Sequence, residues 1–344
     1  MLLHEENAAL PPRQQSRFPG AGHYNSSFEV EEVRENTYNA CMTPRVSVLV
    51  PNYNYAETLP EALDSLEAQS FQDFEVIAVD DGSTDHSLEI LDAAAARFPG
   101  RFRILTHPGK KNNGLTASYQ LGLSSARAPL VAFLEADDVW LPENLAAKFS
   151  AFDAHAGVGV VFSRFEPFGE KRAALFWRLY SYLVKLETPV RRPFTALPAL
   201  LRRNAPASFS HFAVRRELLA RVPAPDCREL FFDWWCLAHL ALSTDFYYLP
   251  EKHTRWRIHR GSANYGAVTE QTIHRLDSFF GSLAASLSEN AEGEPQREMI
   301  ARARTRIRNR ARGSRPGFAA WFSPEPLEEM RYAAHVFLKR WMMS

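Results

Sequence analysis

The chain has 344 residues, 46% of them hydrophobic, with 40 Lys and Arg against 40 Asp and Glu. That allows one large domain with appendages or two small ones, and the zero formal net charge argues against nucleic acid, whose partners usually carry a basic excess. Three scattered cysteines (Cys41, Cys227, Cys236) exclude a disulfide framework or zinc site and fit a reducing cytoplasm.

Residues 1–43 are polar and aperiodic, with Pro11-Pro12 and Gly20-Ala21-Gly22, and read as a disordered leader without signal-peptide character. From Arg45 the pattern is dense. Val46-Ser47-Val48-Leu49-Val50 is a short apolar strand, ended by Pro51-Asn52-Tyr53-Asn54. The spacing of Leu59, Ala62, Leu63 and Leu66 predicts a helix over 58–69. Residues 74–79 form the next strand, ended by Asp80-Asp81-Gly82-Ser83-Thr84-Asp85. A helix over 87–98, a strand over 102–105, a helix near 115–125 and a strand over 130–134 follow. This alternation predicts an α/β domain, with a mostly parallel sheet flanked by helices.

The second half is less regular. It contains a strand over 158–165, an amphipathic helix over 177–186, an apolar segment at 231–243 and a strand-like stretch at 245–250. Helices over 273–287, 297–312 and 326–342 would make residues 265–344 a helical C-terminal extension. The middle one carries arginine at every second position from Arg302 to Arg312, which wraps the charge around the helix. A solvated helix balanced by Glu292, Glu294 and Glu298 is preferred there, with peripheral membrane contact as the alternative. No run is apolar enough to span a bilayer, so the expected location is the cytoplasm, extending at most to the inner face of the membrane.

In parallel α/β sheets ligands bind beyond the carboxyl ends of the strands. The polar clusters at 52–54, 80–85 and 135–138 fall at those ends and should meet on one rim. The most pointed is Phe133-Leu134-Glu135-Ala136-Asp137-Asp138-Val139-Trp140. Carboxylates massed at a strand end repel one another and lose hydration unless a cation joins them, and hard oxygen ligands suit Mg²⁺ or Mn²⁺. A solvated acidic turn is the plainer alternative, and the convergence of three clusters favours a site.

These segments resemble family 2 glycosyltransferases, inverting enzymes of the GT-A fold. The similarity is carried by Val46 to Asn54, by Val79 to Asp85, by Asn113-Gly114-Leu115 with Gly122, and by Phe133 to Trp140. Further on, Asp233-Trp234-Trp235 and Arg255-Trp256-Arg257-Ile258-His259-Arg260-Gly261-Ser262 resemble the family's acceptor helix and closing loop. The resemblance implies a domain over 44–264, with a nucleotide-sugar half at 44–150 and an acceptor half at 151–264.

It further implies transfer of a sugar from a nucleoside-diphosphate donor, a UDP-sugar in preference, to a hydroxyl of a glycan, lipid-linked or small-molecule acceptor. Donor contacts would come from Pro51, Tyr53, Glu57, Asp81, Lys111, Glu135 and Asp137. Among them, Tyr53 faces the base, Asp81 accepts from a uracil imide, and Lys111 with Lys110 meets phosphate. Asp137, Asp138 and His259 would hold Mn²⁺ or Mg²⁺, with Arg257 near the diphosphate. Asp233 would be the general base, and Trp234 and Trp235 could form an apolar platform for a sugar. Glu135 stands where the family usually has Asp, Phe232 replaces a Glu, and His239 sits where Arg is common. Those departures keep a second reading open, a catalytically inactive nucleotide-sugar binder or scaffold. A nucleotidyltransferase is disfavoured because the 51–54 turn has no glycine.

Overall fold

A computed structural model describes residues 32–35, 43–223, 232–259, 270–287 and 293–311. Its strands are β1 (Glu32–Glu35), β2 (Val46–Asn52), β3 (Phe74–Asp80), β4 (Phe102–Thr106), β5 (Leu130–Phe133), β6 (Val139–Trp140), β7 (Val158–Gly169), β8 (Pro193–Phe194), β9 (Phe212–Arg215) and β10 (Asp245–Ile258). The helices are α1 (Leu59–Glu67), α2 (Ser87–Arg97), α3 (Leu115–Ser125), α4 (Asn144–Ala154), α5 (Lys171–Glu187), α6 (Leu197–Leu200), α7 (Arg216–Leu219), α8 (Phe232–Leu240), α9 (Glu270–Ala285) and α10 (Glu294–Ala311).

The described strands form one sheet in the order β1-β4-β3-β2-β5-β9-β7-β10-β6, with β8 pairing β10. Neighbours from β4 through β3 and β2 to β5 are parallel, as expected. The antiparallel β9 is inserted between β5 and β7, and β10 runs parallel to β7. Every residue of β2 and β3 is buried, as helices on both faces of a sheet require. Alternate side chains feed two cores. Val48, Val50 and Val76 pack with Leu63, Leu91 and Phe149, whereas Leu49, Ile77 and Val79 pack with Tyr119, Phe209 and Leu237.

Three expectations are corrected. Within the segment read as a disordered leader, Glu32–Glu35 is a strand paired antiparallel with β4; the rest of residues 1–42 lies outside the described residues. Helix α5 begins at Lys171, well before 177, because the Glu170 carboxylate accepts the N–H of Ala173 at 2.7 Å and caps it. Strand β10 continues past Pro250 to Ile258, with Pro250 inside a register shift where a ladder donor is dispensable.

The expected helix over 326–342 lies outside the described residues. The two C-terminal helices that are described share the larger core: Phe279 and Phe280 of α9 meet the Trp234 ring edge-on at 5.7 and 5.8 Å. Arg304 and Arg308 of α10 reach Asp277 of α9 at 3.1 and 2.9 Å, and Arg302 pairs with Glu298 at 2.5 Å. The Arg302–Glu298 pair is of the expected kind, whereas Arg304 and Arg308 cross to a partner on α9 that the sequence reading does not name, and Ile300, Ala303 and Ile307 of α10 are buried.

Candidate active site

The turns after β2 and β3 are laced together. Asn54 (φ +58°) accepts the N–H groups of Thr84 and Asp85 on its side-chain oxygen, at 2.7 and 3.3 Å, and donates its own N–H to Ser83 Oγ. Asn52 Nδ2 donates to Asp80 Oδ1 at 2.8 Å, while Ser83 donates to the same carboxylate through N–H and hydroxyl. Asp80 is therefore a turn residue. Asp85 is one too, accepting the N–H groups of Ala56 and Ser87. Gly82 has φ +76°, and a Cβ there would stand 2.4 Å from the Lys110 carbonyl oxygen. The β4–α3 loop lies directly on it.

Asp81 is buried and accepts the main-chain N–H groups of Asn113 and Gly114 at 2.7 and 2.8 Å, one on each oxygen. His107 Nε2 stands 3.5 Å from it. Asp81 thus clasps the turn before α3. Tyr53, 42% exposed, lies with exposed Glu57, Lys110 and Lys111 in the loops that follow these strands, while Pro51 is buried within β2.

The carboxylates after β5 face a second set of partners. Glu135 donates its N–H to Ser210 Oγ at 3.0 Å and accepts from Ser208 Oγ at 2.5 Å. Burial, with the nearby Asp137 charge, pushes its carboxyl up to about 8; the Ser208 bond opposes this and Asp233 adds to it. Asp138 is fully buried, accepts the N–H of Arg257 on Oδ1 at 2.9 Å, and has an Oδ2 with no hydrogen-bond partner among the described residues. Burial, then Asp137 and Glu135, hold its carboxyl well above the ordinary range. Asp137 Oδ2 is 3.1 Å from His259 Nε2, and its carbonyl accepts from Arg257 Nε at 2.8 Å. Arg257 also pairs with Glu61 of α1, which joins the ends of α1 and β10 across the acidic turn.

Asp233 comes from the first turn of α8. Its Oδ1 accepts the N–H of Trp234 at 2.8 Å and its Oδ2 accepts from Asn204 Nδ2 at 2.6 Å. Burial pushes the carboxyl up to about 6 against those two bonds. The buried Tyr119 hydroxyl has no hydrogen-bond partner among the described residues and is raised by burial and then by Glu135, Asp233, Asp138 and Asp137, so one phenol senses all four carboxylates. Trp234 and Trp235 are not a sugar platform. Both are buried, and their indoles donate to the carbonyls of Leu200 and Pro223 at 2.8 Å. His239 ties α8 to α9 through Ser286 Oγ at 3.1 Å.

The sequence reading gives four further residues no role. Tyr55 is raised by burial and then by Asp137, Glu135 and Asp138, so it reaches the acidic turn from the other rim. Its place directly after Asn54 in the first polar turn was the available signal. Asn204 sits in an irregular stretch with no periodicity to mark it, and Ser208 caps the single 3-10 turn Phe209–His211 that holds Ser210 and is too short to show a period.

Among the described residues no three His, Cys, Asp or Glu side chains form a metal cage by themselves. Mg²⁺ and Mn²⁺ need none when one or two carboxylates share the ion with substrate phosphates. The orphaned Asp138 Oδ2, next to the Asp137 carboxylate that His259 meets, is an atom that such a cation would satisfy. The donor set fits the ion.

The family model described as "Glycosyl transferase family 2" matches residues 47–222. The uncharacterized glycosyltransferase alr2836 of Nostoc sp. is 36% identical over 117 residues, 34% of this chain and 35% of its own length. The uncharacterized protein Rv1520 of Mycobacterium tuberculosis is 29% identical over 234 residues, 66% of this chain and 62% of its own. The chain thus spans between about a third and under two thirds of those relatives. Among solved structures, Staphylococcus aureus TarS 1–349 in complex with UDP-GlcNAc is similar with a TM-score of 0.58 and 18% identity, covering 82% of this chain and 77% of that one. The mannosyltransferase PcManGT from Pyrobaculum calidifontis, in complex with GDP-Man and Mn²⁺, has a TM-score of 0.55 at 18% identity, covering 88% and 86%. At such identities the likeness is one of fold.

Proposed function

Because the chain belongs to glycosyl transferase family 2, we propose that it moves a sugar from a nucleoside-diphosphate donor, a UDP-sugar in preference, to an acceptor hydroxyl with inversion, and that Asp233 is the base. The observation that carries this reading is Asp233 itself. It sits on the acceptor half, held by Asn204 and the Trp234 N–H, and close enough to Glu135 for its charge to raise that carboxyl.

The acceptor oxygen attacks the anomeric carbon as its proton passes to the Asp233 carboxylate. The bond from that carbon to the diphosphate oxygen breaks, and the diphosphate leaves with the electron pair. Tyr53, Glu57 and Lys111 line the donor rim, and Asp81 keeps the turn before α3 against it. Asp137, Asp138 and His259 would hold Mn²⁺ or Mg²⁺, which when bound supplies positive charge to the leaving diphosphate. The TarS and PcManGT complexes with UDP-GlcNAc and GDP-Man support a nucleotide-sugar donor, and the Mn²⁺ in the latter supports the cation. The acceptor class is a glycan, a lipid-linked glycan or a small metabolite. A cytoplasmic setting belongs to the same reading; no helix of the described residues is long and apolar enough to cross a membrane.

The second reading, an inactive binder or scaffold, is favoured by Phe232. Its ring packs 5.4 Å from Phe209 in the core, so no carboxylate precedes Asp233. Diphosphate release from UDP- and GDP-sugars separates the two. Asp233→Asn should cut release by about 10²–10⁴-fold while nucleotide binding persists. Binding without release by the unsubstituted chain, across an acceptor screen, would favour the scaffold.

A further inference from the structure

Helix α5 is apolar on two opposite sides. Phe176, Trp177 and Val184 are buried, the first two against Phe165 and Trp256. On the other side Leu175, Leu179, Tyr182 and Leu186, spaced i, i+4, i+7 and i+11, make one row along the helix. They are 50%, 49%, 50% and 63% exposed, and Val190 just beyond is 42% exposed. The other large exposed apolar side chains of the described residues are only Tyr53 and Leu115, so the exposure is concentrated here. A contiguous apolar row of this kind marks a contact surface.

Its flanks are basic. Lys171, Arg178 and Lys185, seven residues apart, follow one edge of the row, and Arg172 falls on the other. Glu170 is turned into the helix start as its cap. An apolar row rimmed by cations is the pattern of a helix lying in the headgroup boundary of an anionic bilayer.

We propose that this face of α5 docks on an anionic lipid surface, with Leu175, Leu179, Tyr182 and Leu186 entering the acyl boundary and Lys171, Arg178 and Lys185 meeting headgroup phosphates. A second copy fits less well. A two-fold contact would set one basic flank against another, and a single row of four side chains falls short of the roughly 800 Å² per partner of a standard interface. The arginines of α10 are the poorer lipid ligands, since Arg302, Arg304 and Arg308 are engaged with Glu298 and Asp277.

The same helix touches the acceptor side. Tyr180 donates its hydroxyl to the Asn204 carbonyl at 2.7 Å, and Asn204 holds Asp233. An α-helix is about 10 Å across with its side chains, so docking α5 brings the acceptor half to the bilayer. Resting on the glycosyl-transfer reading, this favours a lipid-linked acceptor over a freely diffusing one.

The test is co-sedimentation of the full chain with vesicles of phosphatidylcholine alone, or of phosphatidylcholine and phosphatidylglycerol mixed two to one. Binding to the mixed vesicles is expected, weakened by high salt and by Arg178→Glu with Lys185→Glu. Leu179→Glu with Leu186→Glu should weaken it by about tenfold or more. No binding to mixed vesicles, or binding indifferent to both variant pairs, would overturn the proposal. So would a solution dimer that the leucine pair dissolves in a chain that never binds vesicles. Mn²⁺-dependent stabilisation by a nucleoside diphosphate, measured on the same proteins, checks their folding. Its retention without vesicle binding sinks the docking alone, whereas its absence in a chain that does bind vesicles sinks the donor-site reading alone.

Discussion

Asn204 donates from Nδ2 to Asp233 Oδ2 at 2.6 Å, joining the loop after α6 to the first turn of α8. The bond favours the ionised carboxylate and opposes the burial that raises it, leaving Asp233 at about 6. A group there is ionised at neutral pH yet basic enough to take a hydroxyl proton.

Removing that donor should therefore move the acid limb of the pH–rate profile. In Asn204→Ala the Asp233 carboxyl loses a stabilising partner, so the limb of kcat/KM shifts above about 6. A substitution that merely loosened the loop would scale the whole profile down without shifting it.

The raised carboxyl also has a sign for stability. Between 3.8 and about 6 the folded chain holds a proton that the unfolded chain has released, so stability falls as pH rises through that window. Above it the penalty is complete. Asp233→Asn removes the penalty and should raise Tm at neutral pH by about 2–5 °C, with the gain fading below about pH 4. A lower Tm at neutral pH would contradict the burial argument.

Buried histidines act in the opposite direction. Burial lowers His211 to about 3 and His239 to about 4, from 6.5, so each withholds a proton that the unfolded chain takes up as pH falls. Stability supplied by the neutral rings is present above 6.5 and declines toward about 4. His211 is stacked on Phe165 at 4.4 Å, and His211→Phe should flatten the fall in Tm between 6.5 and about 3. An unchanged slope would show that other groups control the acid response.

Gly82→Ala should be expensive for its size. The new Cβ would meet the Lys110 carbonyl in a left-handed backbone, a strain of roughly 1–3 kcal/mol. Because the β4–α3 loop must move to relieve it, denaturant unfolding should report the loss of stability and calorimetry a weaker nucleoside diphosphate. Unfolding shifted with binding intact would separate the turn from the donor rim.

What the sequence made legible was local. The spacing of Leu59, Ala62, Leu63 and Leu66 lies within one helix, and the acidic turn at 135–138 announces itself by unlike chemistry beside an apolar strand. The hold of Asp81 on the main-chain N–H groups of Asn113 and Gly114 is visible only in the fold, because no side-chain pattern encodes it. Tryptophans in a helix are commoner as core than as a sugar platform, and for Trp234 and Trp235 it is α9, through Phe279 and Phe280, that completes that core. Asn204 and Ser208 act across long sequence separations from loops, so only the fold shows which carboxylate each one holds.

The most direct test of a cation-dependent donor site is thermal shift with UDP, GDP, CDP and dTDP, each with and without Mn²⁺. A ligand that binds only the folded state raises Tm according to its affinity. One diphosphate, UDP in preference, should raise it only with the metal present. Asp138→Asn, which keeps an acceptor for the Arg257 N–H and removes a buried raised carboxyl, should abolish that gain without lowering the starting Tm. No shift with any diphosphate, with or without Mn²⁺, would contradict the donor site.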